Sequence, residues 1–400
     1  VIRSYRYPLR PTRAQEAVLV SWLGMCCDLY NGALQERRDA WRKNGESIGY
    51  NAQSKSLTEI RATVPGWDDI PYNVARSALL RLDRAFQAFF RRCKIGARPG
   101  YPRFRVADHF DSFSLQRRCA IRDGRVNVPR LGLVRFHEYR PMPAGAVVRD
   151  VIVRRSAGQW WVVFQCDVGA APAPVDLTGV PPVRMVGIDV GLSALATLSN
   201  GEAIANPRHG RTSAQVLAER QRRLARKQRG SANRRRAVRL VQRAHERVAN
   251  QRLDTARKAA ASLVRRFDLI CFEDLAVGRM VHGNLARSIH DAGWRILTVA
   301  VACKAESAGK HVVKVAAAGT TIECSGCGAR VPKGLSERTH RCPRCGLVLC
   351  RDVNAARNIL ARGRRAVGLC ATPRITAEAA PAALPNSYGR SIRTVSEPAP

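Results

Sequence analysis

Apolar residues recur with two different periods along this chain, and the change of period divides it. Ile2, Tyr5 and Tyr7 mark a short strand within residues 1–12, ended by Pro8 and Pro11. From residue 13 the spacing turns helical. Thr12 can cap a helix running through Ala17, Val18, Val20 and Leu23. A later helix carries Val74, Ala78, Leu79, Leu82, Phe86 and Phe89 at three- and four-residue intervals. After Gly100 the pattern becomes short alternating or apolar segments around 111–116, 125–128, 133–137, 147–155 and 159–167, with Gly and Pro between them. They predict a small β-barrel or sheet. In such a strand Trp160 and Trp161 point to opposite faces, which predicts one core ring and one surface ring.

Residues 169–182 are rich in Pro and Gly and predict a linker. Beyond it the run RMVGIDVG predicts a buried strand ending at Asp189. SALATLS predicts a second strand, Asn200-Gly201 a hairpin turn, and EAIA a third. Residues 208–266 read as long helices. A strand over 267–272 ends at Glu273 and Asp274. A helix with Trp294, Leu297 and Val301, a strand over 311–315 and a helix N-capped by Asp352 complete an α/β multidomain pattern. Residues 371–400 are rich in Ala and Pro with few large apolar residues, and predict a disordered tail.

The charge changes this picture most. The 400 residues carry 68 Lys and Arg against 31 Asp and Glu, a formal net charge of +37. Only nine of the 68 are Lys. A GC-rich genome explains Arg over Lys; it does not explain basic over acidic. Such a charge repels itself unless a polyanion balances it, and Arg suits phosphates and base stacking, so nucleic acid is the expected partner. Ordinary proportions of apolar (46%) and charged (25%) residues exclude wholesale disorder. No uncharged apolar run approaches the roughly 18 residues of a membrane span, and the first residues lack a signal-like apolar stretch. A cytoplasmic protein is expected. The excess is also localised: Arg220, Arg222, Arg223, Arg226, Lys227, Arg229, Arg234, Arg235, Arg236 and Arg239 fall in 20 residues that contain no acid. Because a solvated helix normally mixes its signs, this stretch reads as an arm that tracks phosphates.

Thirteen Cys, an odd number, argue against a disulfide framework. Cys26, Cys27, Cys93, Cys119, Cys166, Cys271, Cys303 and Cys370 show no paired spacing and read mostly as core hydrophobes. Cys324, Cys327, Cys342 and Cys345 differ. They form two C-x2-C pairs, each followed by Gly and separated by 14 residues. Two such knuckles close a tetrahedral four-sulfur site, which predicts a structural Zn2+ with no open position.

Three acids share one kind of context. Asp189 and Glu273 each end an apolar strand, and Asp352 opens a helix. Taken singly, Asp352 could be only a cap and Asp189 a turn residue. Together they suggest an RNase H-like core in which carboxylates hold Mg2+, or Mn2+. Two such ions about 3.5–4 Å apart would activate a water and stabilise the leaving oxygen of a phosphodiester.

These residues carry a resemblance. GIDVGLSALATLSNG (187–201), ICFEDL (270–275), CSGCG, CPRCG and RDVNAARNIL (351–360) resemble the motifs of the TnpB family. TnpB proteins are transposon-encoded RNA-guided DNA endonucleases related to type V CRISPR effectors, with the older label of OrfB-type transposases. YRYPLRPTRAQ, GYPRFR, VPRLG and residues 292–315 support the match, which runs in order over about residues 1–365. The resemblance implies a wedge-type β-barrel from 1–12 and 96–168, with a helical recognition lobe inserted over 13–95. It implies a RuvC-type nuclease domain over 183–370, with the Arg-rich helices of 208–266 and a zinc ribbon over 318–349 inserted. Asp189, Glu273 and Asp352 match the family's catalytic acids, and the four Cys match its zinc ligands. Guide RNA from the transposon end and double-stranded DNA bearing a short flanking motif are the implied partners, in a prokaryotic cytoplasm at the nucleoid. The family usually has DRDxNAA, whereas Cys350 stands at the first acid here. Two other functions remain open from sequence: a cleavage-silent RNA-guided DNA-binding regulator, and a transposase or recombination accessory protein.

Overall fold

The computed structural model describes residues 1–369 apart from Arg117, Arg118 and Leu335; the predicted tail and Cys370 lie outside the described residues. The chain forms two compact units: Val1–Pro172 with Ser213–Asn250, and Ala173–Thr212 with the chain from Gln251 onward.

The first unit begins with β1 (Ile2–Arg10), followed by the helices α1 (Arg13–Asn44), α2 (Tyr50–Thr63) and α3 (Tyr72–Lys94). Six strands follow: β2 (Ser112–Ser114), β3 (Ile121–Arg122), β4 (Arg125–Val128), β5 (Gly132–Phe136), β6 (Val147–Ser156) and β7 (Gln159–Asp167). Thr12 and Gln15 make a reciprocal capping box at the start of α1. That helix buries Leu19, Trp22, Leu23, Cys26 and Tyr30, while Val18 and Val20 face outward. By length and hydropathy α1 could cross a membrane, but half of its apolar window is buried inside the protein. Its inner face joins α3 and the sheet in one core.

The strands are antiparallel in the order β2-β6-β7-β1-β5-β4-β3. Alternation places Trp160, Val162, Phe164 and Cys166 of β7 in the core, paired across β1 with Leu9, Tyr7, Tyr5 and Arg3. Trp160 is buried, and Trp161 lies half-buried beneath the Arg6 guanidinium. The strand β1 continues past Pro8. What the ladder takes from Pro8 is its carbonyl, which accepts from the His137 N–H at 2.8 Å. The sheet is open and is not the closed barrel that the family resemblance implied. Its edges are the three-residue β2 and the two-residue β3, which do not pair with each other among the described residues. Strands that short offer too few ladder bonds to close a barrel.

The second unit is built on β8 (Met185–Val190), β9 (Ala194–Leu198) and β10 (Ala203–Ala205), followed by the short helix α4 (His209–Thr212). The helices α5 (Ala214–Ala225) and α6 (Ala232–Arg266) come next in the chain; α5 and the first half of α6 belong to the first unit. Then come β11 (Leu269–Glu273), α7 (Val277–Met280), α8 (Ala286–Ala292), α9 (Trp294–Glu306) and β12 (His311–Val315). A ribbon of β13 (Thr339–Arg341) and β14 (Val348–Cys350) leads into α10 (Arg351–Ala366).

The order here is β10-β9-β8-β11-β12, with β8, β11 and β12 parallel and the hairpin β8-β9-β10 antiparallel. Both faces are covered, so residue parity decides which neighbour each side chain meets. Val186, Ile188, Ile270 and Phe272 pack with the second half of α6 and with α8 and α9. Met185, Leu269 and Cys271 face the other way, toward Ile359 of α10. Gly187 and Gly363 let α10 come close. A Cβ at Gly187 would stand 2.0 Å from the Ala356 carbonyl oxygen, and one at Gly363 would stand 2.1 Å from the Cys271 sulfur.

Gly187→Ala is expected to lower stability by about 1–3 kcal/mol, because backbone atoms must move aside. Gly24→Ala in α1, where nothing lies within 4 Å, is expected to raise it by about 0.4–1 kcal/mol. Thermal melts of the two variants should therefore shift in opposite directions.

Candidate active site, metal centre and basic arm

Parity places two of the acids. Asp189 follows Met185 and Gly187 on the α10 face of β8, and Glu273 follows Leu269 and Cys271 on the same face of β11. The two strands are parallel neighbours in register at Ile188 and Phe272, so both acids emerge at the same carboxyl edge. The third acid arrives with α10. Asp352 is not the helix cap that sequence suggested. β14 runs straight into the helix, Cys350 is the N-cap and makes no side-chain cap bond, and Asp352 lies in the first turn. Its carboxylate is thereby not committed to capping, and the helix dipole favours a negative charge there.

The structure brings the three acids together electrostatically. Burial pushes the Asp189 carboxyl up to about 8, helped by the charges of Glu273 and Asp352 and opposed by Arg351. Burial also raises Glu273, against a hydrogen bond from the Thr320 hydroxyl and the charge of Arg362. Arg351 lies 3.8 Å from Asp352. Three carboxylates thus lie within electrostatic reach of one another, and burial raises two of them. Hard oxygen donors of this kind are what a divalent cation takes, although among the described residues only the four paired cysteines already have their ligand atoms within 4.8 Å of one another.

Sequence reading missed the residues that support this cluster. Along α10, Asn354, Asn358 and Arg362 form a polar stripe on a side that is otherwise packed. Asn354 accepts from the Ser325 N–H at 2.9 Å and donates to the Glu323 carbonyl at 2.7 Å. Asn358 donates to the carbonyls of Thr320 (2.8 Å) and Glu323 (2.7 Å). Arg362 holds Glu323 and the carbonyls of Ala316 and Ala318, each at 2.7 Å. The available signal was two buried-face Asn four residues apart on an amphipathic helix.

The segment held by this stripe leads into the first cysteine pair. The sulfurs of Cys324, Cys327, Cys342 and Cys345 all lie within 4.8 Å of one another. Cys324–Cys345 and Cys327–Cys342 are each 3.6 Å apart. A tetrahedron of roughly 2.3 Å metal–sulfur bonds has edges of about 3.8 Å, so the spacing fits a metal and is far too long for disulfides. Burial pushes Cys324 up to about 12. Burial acts the same way on Cys342, but the backbone amides of Cys345 and Arg344 outweigh it and hold that thiol at about 6. A divalent cation among the four would favour the thiolate at each. His340, two residues before Cys342, is buried with Nδ1 against the Lys333 ammonium and takes no part in the cluster. Among the remaining cysteines, Cys93 and Cys303 are exposed, not core residues.

The basic stretch is an arm of α5, a turn and the first half of α6. Arg222, Arg223, Arg226, Lys227, Arg229, Arg235, Arg236 and Arg239 are exposed. Arg220 and Arg234 are half-buried and serve the arm itself. Arg220 donates to the Leu240 carbonyl at 2.9 Å, and Arg234 donates to the carbonyls of Leu224 and Lys227 at 3.2 Å. The arm rests on the β6–β7 turn, where Arg243 donates to the Ala157 carbonyl at 3.3 Å and Ser156 to Glu246 at 3.0 Å.

Comparison with known proteins gives consistent family matches. Residues 171–283 match the OrfB_IS605 family model, described as "Probable transposase", and residues 294–359 match one described as "Cas12f1-like, TNB domain". Residues 1–46, here a strand and one long helix, match a model described as "Helix-turn-helix domain". The chain is 35% identical over 372 residues to a "Putative RNA-guided DNA endonuclease" of Streptomyces pristinaespiralis, covering 91% of this chain and 90% of that one. It is 30% identical over 383 residues to "Putative RNA-guided DNA endonuclease InsQ" of Escherichia coli K12, covering 90% and 92%. The solved structure of "the mini-RNA-guided endonuclease CRISPR-Cas_phi3" has the same fold, with a TM-score of 0.50, 8% identity, and coverage of 94% of this chain and 93% of that one.

The crowded acids give a pH-dependent outcome. The unfolded Asp189 titrates near 4 and the folded one near 8, so the folded chain holds the proton more tightly. The resulting destabilisation is absent below about pH 4 and complete above about pH 8. In buffer without added divalent cations, Asp189→Asn should therefore stabilise the protein at pH 8 by on the order of 1–3 kcal/mol, and by much less at pH 5. Paired thermal melts check this.

Proposed function

This chain belongs to the TnpB family, and from that premise we propose that it is an RNA-guided DNA endonuclease whose cutting site is Asp189, Glu273 and Asp352. The observation that carries the reading is the convergence of these three acids, from β8, β11 and α10, at one edge of the second sheet. The strand order of that sheet supports an RNase H-like, RuvC-type core. The three carboxylates would hold one or two divalent ions, Mg2+ or Mn2+. The chemistry supplied there would be activation of a water and stabilisation of the leaving oxygen of a phosphodiester. The protein's own share is to fix three oxygen donors on two strands and a helix, so that little reorganises when substrate arrives.

Base pairing with a guide RNA from the transposon end would read sequence, and the protein would read a short flanking motif and duplex shape. The exposed arginines of the arm would follow the phosphate backbone. The four-cysteine cluster would hold a structural Zn2+, since four sulfurs leave no open position. The cytoplasm at the nucleoid is the setting that such partners imply.

With its guide RNA and Mg2+, the protein is expected to cut matched double-stranded DNA. Asp189→Ala should abolish cutting and leave binding in place, as gel-shift and cleavage assays on the same preparation would show; cutting by the variant would remove the site from the account. Replacing Arg222, Arg226, Arg229 and Arg236 by Gln should flatten the plot of log affinity against log salt by about 3. Elemental analysis should find about one zinc per chain, and none in Cys324→Ser.

A further inference from the structure

Glu273 is the acid whose orientation needs the most explanation. It ends β11 in a partly buried position, and the bonds of Arg362, the cation whose charge acts on it, go to Glu323, Ala316 and Ala318. The group that donates to its Oε1 is the Thr320 hydroxyl. Thr320 is 1% exposed and sits in the turn after β12. Its own carbonyl is held by Asn358 of α10 at 2.8 Å. The Ala317 carbonyl, 3.0 Å from the same hydroxyl, is a second acceptor for its one proton.

The choice of donor matters chemically. A guanidinium on Glu273 would orient it but would also neutralise it, and would compete with any cation the site takes up. A neutral hydroxyl orients one carboxylate oxygen and leaves the full negative charge for the ion. Partners of this kind behind a metal ligand typically change metal affinity by about 10–100-fold.

We propose that Thr320 is a positioning residue for Glu273, set in place by Asn358, so that the helix carrying Asp352 also sets the second acid. The stripe continues to Asn354, which binds the Ser325 N–H inside the first cysteine pair. One face of α10 thus ties the four-sulfur cluster and the carboxylate cluster to the same segment, 316–325. The inference rests on the reading of the three acids as a divalent-cation site.

The test is Mn2+ titration by calorimetry on the zinc-loaded full chain, without nucleic acid, for wild type, Thr320→Val, Thr320→Ser and Asp189→Ala. Thr320→Val keeps the shape and removes the donor; Thr320→Ala replaces it if the valine protein does not fold. The expected result is a loss of about tenfold in Mn2+ affinity for Thr320→Val, with zinc content and melting temperature without Mn2+ unchanged. Thr320→Ser should return within about twofold of wild type, which separates donor from packing. If wild type binds Mn2+, Asp189→Ala does not, and Thr320→Val equals wild type, then the positioning role falls and the acid site stands. If Thr320→Ser is as weak as Thr320→Val, the effect is packing and the proposal is overturned. If wild type takes up no Mn2+, or Asp189→Ala binds it as well as wild type, the acid-site reading fails and this inference fails with it.

Discussion

At Gly187 the backbone of β8 lies so near α10 that a single methyl would stand 2.0 Å from the Ala356 carbonyl, and Gly363 repeats the arrangement against Cys271. These two contacts fix the depth and direction of one helix on one sheet. Asp352 is in the first turn of that helix, and Asp189 lies two residues after Gly187. A helix seated farther out would carry Asp352 away from the strand-end acids. It would also withdraw the Asn354, Asn358 and Arg362 stripe from the segment that leads into the cysteine pairs. The packing of apolar and glycine surfaces therefore sets the geometry of charges that would otherwise repel each other.

That repulsion is real, even in a chain of net charge +37. Burial and like charge leave Asp189 pushed up to about 8, a state that opposes folding at neutral pH. Many of the basic residues are exposed on the α5–α6 arm and face water. At the acids the compensation is local: a Thr hydroxyl and the charge of Arg362 act on Glu273, and Arg351 acts on Asp189 and lies beside Asp352. Buried, crowded carboxylates suit a site that takes a cation, and an exposed basic arm suits a surface that takes a polyanion.

Much of this was legible in sequence because it rests on short-range pattern. Apolar runs ending in an acid predicted the ends of β8 and β11, and paired C-x2-C-G units predicted the sulfur cluster. The Thr12 cap, the helix over Val74–Phe89 and the opposed rings of Trp160 and Trp161 follow from local rules in the same way. What escaped depends on tertiary partners. Pro8 continues β1 because of where His137 lies. Val18 and Val20 are exposed because α1 buries Leu19. Arg220 and Arg234 look like their neighbours in sequence, yet they bind backbone carbonyls at the ends of their own arm. Asp352 lost its capping role to Cys350 because β14 enters the helix without a turn. Thr320 carries no motif signal of its own; only the fold brings it to Glu273.

The central claim is that β8, β11 and α10 build one divalent-cation site. The most direct measurement is anomalous diffraction at the manganese edge from crystals of the zinc-loaded protein soaked in Mn2+. The account predicts one or two manganese peaks bounded by Asp189, Glu273 and Asp352, and none in crystals of Asp189→Ala. Manganese bound only elsewhere, or three acids too far apart to share an ion, would contradict it.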